Sequence, residues 1–589
     1  MQFHDFFIFL NTYLLNMMMN LKRNIVIVAL LLVSCAHASQ QEVGQAEKPG
    51  FEAEKQAELP KQELTEQVLY EYLLGEMALQ RDQPELAAQL YLKLANSTRD
   101  PRLAHYAAHL AFETRQMDKA MAAFNLWLEI EPDSLLAKQA LATLLISGGK
   151  LDEARPHLVS LLAATTENVG NIFMQISPMI ASYPDKTAAF NLLLALTQPY
   201  PRVAEAHWAL AQVAEAAGKH ELALEEARQA YTLRPEWDSA VLLNAKLLQG
   251  ATPQQALTLL KKYLDTYPDT KEVRLFYARA LMEQKQNREA RAEFQRLLNA
   301  YPDNADLAFA VGLLSLDIGE LDRGEKELQQ ALTNRKKDED VVYYYLGQLS
   351  EAKKHDEEAM QNYSKVKGGE YNFSSRIRMA YLTNKLGKLD EARQLLHKTV
   401  TKNNKQRIQL AMVEAQILRD AQQFESAYQV LMLALGKLPN QPEIMYEAAM
   451  LADKAGKHDV FEQMMRKLIE IEPGNAQAHN ALGYSLLERN ERVPEAMKLV
   501  EKAYQLAPDD AGIIDSMGFG YYRLGNLPKS LEFLRRAYAA NPDPEIAAHL
   551  GEVLWAQGEK EQAKKMWSDA LKSNPDSTVL QVVIKKFTP

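Results

Sequence analysis

Cys35 is the one cysteine in 589 residues, and it ends the stretch Leu32-Val33-Ser34-Cys35. A lone cysteine excludes an internal disulfide framework and a cysteine-based zinc site. What remains is the thiol itself, a group open to modification in an exported chain. Lys22, Arg23 and the apolar run IVIVALLLV, residues 25–33, lead up to it. A short basic stretch, an apolar run of about 7–15 residues and small residues at its end make a secretory signal. A membrane-spanning helix takes roughly 20 apolar residues, more than this run supplies. Two cuts are legible. One falls before Cys35 and leaves it as the new N-terminus. The other falls behind Ala36-His37-Ala38 and discards it. Met17, Met18 and Met19 stand just ahead of Lys22, which predicts that translation starts at one of them and that residues 1–16 are an over-long gene start. The alternative is a genuine extension of the signal.

Elsewhere the residues that do chemistry are scattered. The chain holds no H-E-x-x-H, no G-x-S-x-G and no Walker loop. Ser147-Gly148-Gly149-Lys150 lacks the first glycine of a phosphate loop, and Gly518-Phe519-Gly520 falls in a helical pattern with no strand before it. His207 and His479 occupy the same helical position in different parts of the chain, which suits packing better than metal binding. The reading is non-enzymatic, with no cofactor and no metal. A formal charge of −10 with Lys and Arg spread throughout argues against a nucleic-acid partner. At 47% hydrophobic and 24% charged, the composition is that of a folded chain. A single core stops growing at roughly 250–300 residues, so a chain of this length is either several domains or an array of repeats.

Prolines decide between the two. Pro201, Pro235, Pro268 and Pro302 step by 34, 33 and 34 residues, and Pro439, Pro473, Pro508, Pro542 and Pro575 by 34, 35, 34 and 33. Six prolines on this grid precede aspartate: Pro132, Pro268, Pro302, Pro508, Pro542 and Pro575. A proline that ends one helix and an aspartate that caps the next is a turn signal. Twelve residues before the proline lies a small residue, as at Ala120, Ala223, Ala290, Ala427, Ala496, Ser530 and Ala563. Apolar positions follow it at i+4 and i+7, one face of a helix. A further twelve residues upstream lies glycine or alanine, as at Ala278, Gly312, Gly347, Gly518 and Gly551. Two helices per step must cross closely, with a small side chain on each at the crossing.

This pattern resembles the tetratricopeptide repeat. The resemblance covers residues 67 to about 576, or fifteen units, and implies an all-α superhelical solenoid of helix-turn-helix repeats. Residues 165–200 are poorly patterned, and Pro178 and Pro184 are expected to interrupt helices there. Ala251-Thr252-Pro253 shortens one turn and Val493-Pro494 lengthens another. The domain reading is a signal peptide over 1–34, a lipidated Cys35 with a disordered tether over 35–65, the solenoid over 66–576 and a capping helix over 577–589. The tether follows from a segment rich in Glu, Gln, Lys and Ala with almost no large apolar side chains.

In this family the first helix of each unit lines the groove. With the small residue as position eight, positions five, nine and twelve face inward. Position five holds Trp208, Phe309, Tyr344, Met412, Tyr446, Asn480 and Asp515; position nine Tyr381, Met450, Tyr484 and Phe519; position twelve Tyr522 and Trp555. Aromatic and methionine side chains at such places anchor protein partners. The other reading is that several of them are core shared between repeats. The Lys/Asn set that clamps chaperone tails is not at matching positions.

Two further resemblances narrow the function. Leu32-Val33-Ser34-Cys35 resembles the bacterial lipobox, which implies acylation of Cys35 and, with Ala36 rather than Asp following, an outer membrane site facing the periplasm. The C-terminal stretches NALGYSLLERNERVPEAMKLVEKAYQLAPDDAGIIDSMGFGYYRLG and AAHLGEVLWAQGEKEQAKKMW resemble a proteobacterial group of large outer-membrane repeat lipoproteins. That group implies an adaptor that binds a periplasmic carboxyl-terminal processing protease and presents peptidoglycan hydrolases to it. The alternative is an assembly factor for an outer-membrane machine, a pilus secretin or a barrel-insertion complex.

Overall fold

A computed structural model describes residues 64–165, 168–335 and 338–587. The signal region, Cys35 and all of the tether except Leu64 and Thr65 lie outside the described residues. The described residues hold 31 α-helices and no strand. They pair into fifteen helical hairpins followed by the single helix Thr578–Phe587. The all-α array of about fifteen helix-turn-helix units read from the 34-residue period is therefore the observed fold. The described residues divide into two compact units, the first ending at Val169 and the second beginning at Gly170. The first contains three hairpins, beginning with Glu66–Gln80 and Pro84–Thr98; the second contains the rest.

Most hairpins close through a short turn that holds a left-handed residue. In the hairpin Ala511–Arg523 and Leu527–Ala540 that residue is Gly525, φ 79°. The Asn526 and Gly525 N–H groups donate back to the carbonyls of Tyr521 and Tyr522, both at 2.9 Å. This satisfies carbonyls that the helix end leaves bare. Asp82, Lys285 and Gln422 take the same conformation without glycine. Thr252 alone separates Asp238–Ala251 from Pro253–Thr266, and the turn before Val493–Leu506 runs from Arg489 to Arg492, the shortening and lengthening expected there.

The junction between units differs from the sequence expectation. Among the six prolines of the 34-residue grid that precede aspartate, the aspartate caps the next helix only at Asp543, which accepts from the Glu545 N–H at 2.8 Å. After Pro302 and Pro508 the cap is one residue later. Asn304 accepts from Asp306 and Leu307, and Asp510 accepts from Gly512 and Ile513, at 2.9–3.1 Å. There the proline and aspartate together make the turn, and the next polar residue reaches the helix N-terminus.

Pro178 also departs from expectation. It lies inside the continuous helix Val169–Ser182, and only Pro184 falls in a turn. A proline forfeits one backbone hydrogen bond. Phe173, Ile176 and Ile180, all fully buried around it, hold the helix in place.

The hairpins are tight because a large residue of the second helix lies over a small residue of the first. Gly75 faces Tyr91, Gly312 Leu328, Gly347 Tyr363, Gly518 Leu534 and Gly551 Trp567, sixteen residues apart in each case. A Cβ built on Gly518 would lie 2.6 Å from Leu534 Cγ. Four residues before each of these large residues, the second helix brings its own small residue into the crossing. Ser530, fully buried, donates its hydroxyl to the Gly518 carbonyl at 2.7 Å. Gly518→Ala is expected to destabilise the chain by about 1–3 kcal/mol through overpacking. In urea melts its cost should shrink in a Leu534→Ala background, and strict additivity would exclude the clash as the cause.

Candidate protein-binding groove

Consecutive first helices lie side by side in the second unit, and side chains at equal positions of neighbouring repeats adjoin. The clearest concavity lies between three of them, Tyr371–Lys385, Asn404–Asp420 and Pro442–Lys454. Tyr381, Gln409, Met412, Gln416, Arg419 and Glu447 line it, with Val413 and Leu451 at its floor, around a cavity of ≈ 200 Å³. Arg419 donates to Glu447 at 3.0 Å and also reaches Gln416. Burial raises the Tyr381 phenol above its ordinary pKa, so it stays a neutral hydrogen-bonding group. An apolar floor with two amides and one ion pair at the rim is suited to an extended polypeptide: the amides meet its backbone and the floor takes a side chain.

The remaining positions read from the sequence fall into groups. Phe309 is buried, 5% exposed, beneath the Arg335 guanidinium at 5.3 Å. It meets Tyr345, which meets both Tyr344 and Tyr371, at ring separations of 5.3–5.8 Å. Trp208, half-buried, donates its indole N–H to the Ser239 carbonyl of the next first helix at 3.2 Å. Tyr446 and Met450 are half-buried against the core around Phe461 and Met465. Asn480 is half-buried and its Oδ1 has no hydrogen bond. Trp555 stacks on Trp567 with ring centres 6.0 Å apart, and Lys560 lies over it at 5.2 Å.

Tyr484, Asp515, Phe519 and Tyr522 come together on neighbouring first helices. His549, on the helix Pro544–Ala556, joins them. Its Nδ1 lies 2.9 Å from Asp515 Oδ2, and its ring stacks on Phe519 at 4.4 Å. Tyr484 donates its hydroxyl to Glu545 at 2.8 Å and lies 3.3 Å from His549 Nε2. Tyr522 closes the cluster 6.1 Å from Phe519. Tyr484 thus reaches across an entire repeat to the one beyond. Burial works against charge on His549, but the Asp515, Glu545 and Glu552 carboxylates outweigh it and hold its pKa above the ordinary 6.5. Burial, and then the Glu545 charge, hold the Tyr484 hydroxyl protonated.

Phe309, Asp515 and Phe519 are therefore corrections to the sequence reading. All three are buried, at 4–5% exposure, and pack or bond within the array rather than face an open groove. The sequence reading also missed Gln409, Gln416, Arg419 and Glu447, which line the cavity, and it missed His549. The one available signal was spacing: His549 follows Asp515 by 34 residues, one repeat, so a carboxylate and an imidazole fall on adjoining helices.

The tetratricopeptide repeat is matched over residues 305–575, 247–314 and 185–236. The chain is 33% identical over 492 residues to the TPR repeat-containing protein PA4667 of Pseudomonas aeruginosa, covering 83% of this chain and 82% of that one. A 172-residue stretch is 26% identical to human Protein O-mannosyl-transferase TMTC1, covering 28% of this chain and 19% of that protein. Among solved structures, the thermophilic TPR protein TTC0263 of Thermus thermophilus aligns with 22% identity and a TM-score of 0.29, covering 30% of this chain and 97% of that one.

The histidine cluster sets a pH dependence. A pKa raised on folding means that His549 contributes stability fully below about 6.5, and that this contribution is lost as pH rises through its folded value. Thermal melts should fall from pH 6 to pH 9 more steeply for the wild type than for His549→Gln. Equal slopes would show that His549 does not titrate with folding. Asp515→Asn removes the counter-charge of a buried pair, and by chemical denaturation at pH 6 it should cost about 3–5 kcal/mol.

Proposed function

The chain belongs to the tetratricopeptide-repeat family, a family of scaffolds for protein–protein interaction, and from that premise we propose that it is an outer-membrane-anchored, non-enzymatic adaptor. Its partners are a periplasmic carboxyl-terminal processing protease and the peptidoglycan hydrolases that the protease degrades. The observation that supports the reading is the cavity at Tyr381, Met412 and Arg419, where three first helices form an apolar floor and a polar rim of a kind suited to a protein segment. The resemblance of residues 480–525 and 547–567 to the adaptor lipoprotein LbcA, partner of the protease CtpA, supplies the identity of those partners.

Physical chemistry favours such a role. Two proteins held on one array meet at a high effective concentration without a new contact between them. Acylation of Cys35 at the head of a polar tether would keep that meeting at the membrane within reach of the cell wall. More than one acyl chain is needed for stable anchoring, which N-terminal lipoprotein processing supplies.

Pull-down from solubilised membranes should recover a serine protease with the tagged chain, and deletion of the gene should raise peptidoglycan hydrolase levels. If neither occurs, the adaptor role is wrong. Tyr381→Ala together with Arg419→Ala should reduce recovery of a partner about tenfold or more, as loss of central interface contacts does. Cys35→Ser should leave the membrane fraction and abolish the size shift of processing. Unchanged fractionation and processing would assign the cut to the position after Ala38 instead.

A further inference from the structure

The last described helix and the first described helix finish their units differently. Thr578–Phe587 buries Leu580 and Val583 in the core around Trp567 and turns a mixed face outward, with Gln581 and Lys585 exposed beside Val582. A polar outer face on a terminal repeat is what keeps such an array soluble. Glu66–Gln80 turns out an apolar face instead. Its buried side, at Glu71, Gly75 and Ala78, rests on Pro84–Thr98, where Gly75 faces Tyr91 and Glu71 pairs with Lys93 at 2.7 Å. On the opposite side Leu69, Tyr70, Leu73 and Met77 are 42%, 62%, 50% and 46% exposed. Spaced by three and four residues, they make one continuous stripe.

The chemistry of the helix narrows what can cover that stripe. Helices that lie in a membrane surface carry Lys and Arg on their polar face. This one carries Glu66, Glu71 and Glu76 and no cation. The segment before it, residues 39–63, offers three large apolar side chains, Val43, Phe51 and Leu59, broken up by Pro49, Gly50 and Pro60, so it has no matching stripe. A second copy of the same helix does match. Leu69 and Met77 stand four residues either side of Leu73. Two such helices packed antiparallel bring Leu73 against Leu73 and Leu69 against Met77 twice, the self-complementary pattern of a two-fold interface. The same register sets Glu66 of one copy opposite Gln80 and the exposed Arg81 of the other, whereas a parallel pairing would set Glu66 against Glu66.

We propose that the chain forms a two-fold dimer through Glu66–Gln80, with the two helices antiparallel and Leu73 at the axis. The contact uses neither the Tyr381 cavity nor the histidine cluster, and it does not depend on the adaptor role.

The test is photo-cross-linking of the full chain in intact cells that make two copies with different affinity tags. p-Benzoylphenylalanine in place of Leu73 should give a product that carries both tags. In place of Leu136, which is 57% exposed on another helix, it should not. Leu69→Glu with Met77→Glu in both copies should reduce the Leu73 product at least about tenfold, because the antiparallel register sets those carboxylates against each other. The single change Leu69→Glu in one copy should be rescued by Met77→Lys in the other and not by Leu69→Lys, a pairing rule that a merely misfolded variant would not obey. No product carrying both tags, a product joined to phospholipid instead, or a product undiminished by the paired glutamates would each overturn the dimer. So would equal rescue by Leu69→Lys. A two-tag product from Val582 and not from Leu73 would overturn it as well, by placing the contact at the opposite terminal helix.

Discussion

The close crossing of two helices within each hairpin is the constraint on which the rest of the structure depends. A bare glycine on the first helix receives a Leu, Tyr or Trp side chain from the second, as at Gly518 with Leu534 and Gly551 with Trp567. The backbones can then approach until Ser530 bonds directly to a first-helix carbonyl. This fixes how each hairpin is closed and which face of the first helix is left over. Because each repeat packs chiefly on its neighbours, the same solution can be repeated along the array without a growing central core. Where an extra residue enters a turn, the crossing absorbs it: beyond Arg489–Arg492, Gly483 meets Val500 at a separation of seventeen rather than sixteen.

The periodic part of this fold was legible because its causes are local. Proline spacing, small residues twelve apart and the i, i+4, i+7 apolar face each report one hairpin, and their repetition reports the array. The failures have physical reasons as well. The cap at Asn304 or Asp510 was misassigned to the preceding aspartate because a proline and an aspartate fit either end of a short turn, and only backbone geometry decides. Pro178 was read as a breaker because sequence shows the lost hydrogen bond and not the burial of Phe173, Ile176 and Ile180 that outweighs it.

The candidate site was legible in outline only. Position within a repeat told which residues face their neighbours' first helices, and Tyr381 and Met412 do line a cavity there. Position did not tell whether that face is open or filled. At Phe309, Asp515 and Phe519 it is filled, since adjoining repeats supply Tyr345, Arg335 and His549 to cover them. Rim residues such as Gln409 and Glu447 carry no sequence signal, because polar side chains on helices are ordinary, and their roles come from three helices that meet in space.

Polar groups on the inner face are handled in opposite ways along its length. Near the C-terminus the polar groups bond in a chain: Asp515 with His549, His549 with Tyr484, Tyr484 with Glu545. A bonded chain of this kind rigidifies, and Tyr484 joins two repeats that are not sequence neighbours. Upstream, Arg279 and Gln212 keep donors without acceptors. A half-satisfied network is worse for stability than an apolar one. One repeat architecture thus carries both a stretch whose polar side chains bond to one another across repeats and a stretch where Arg279 and Gln212 do not.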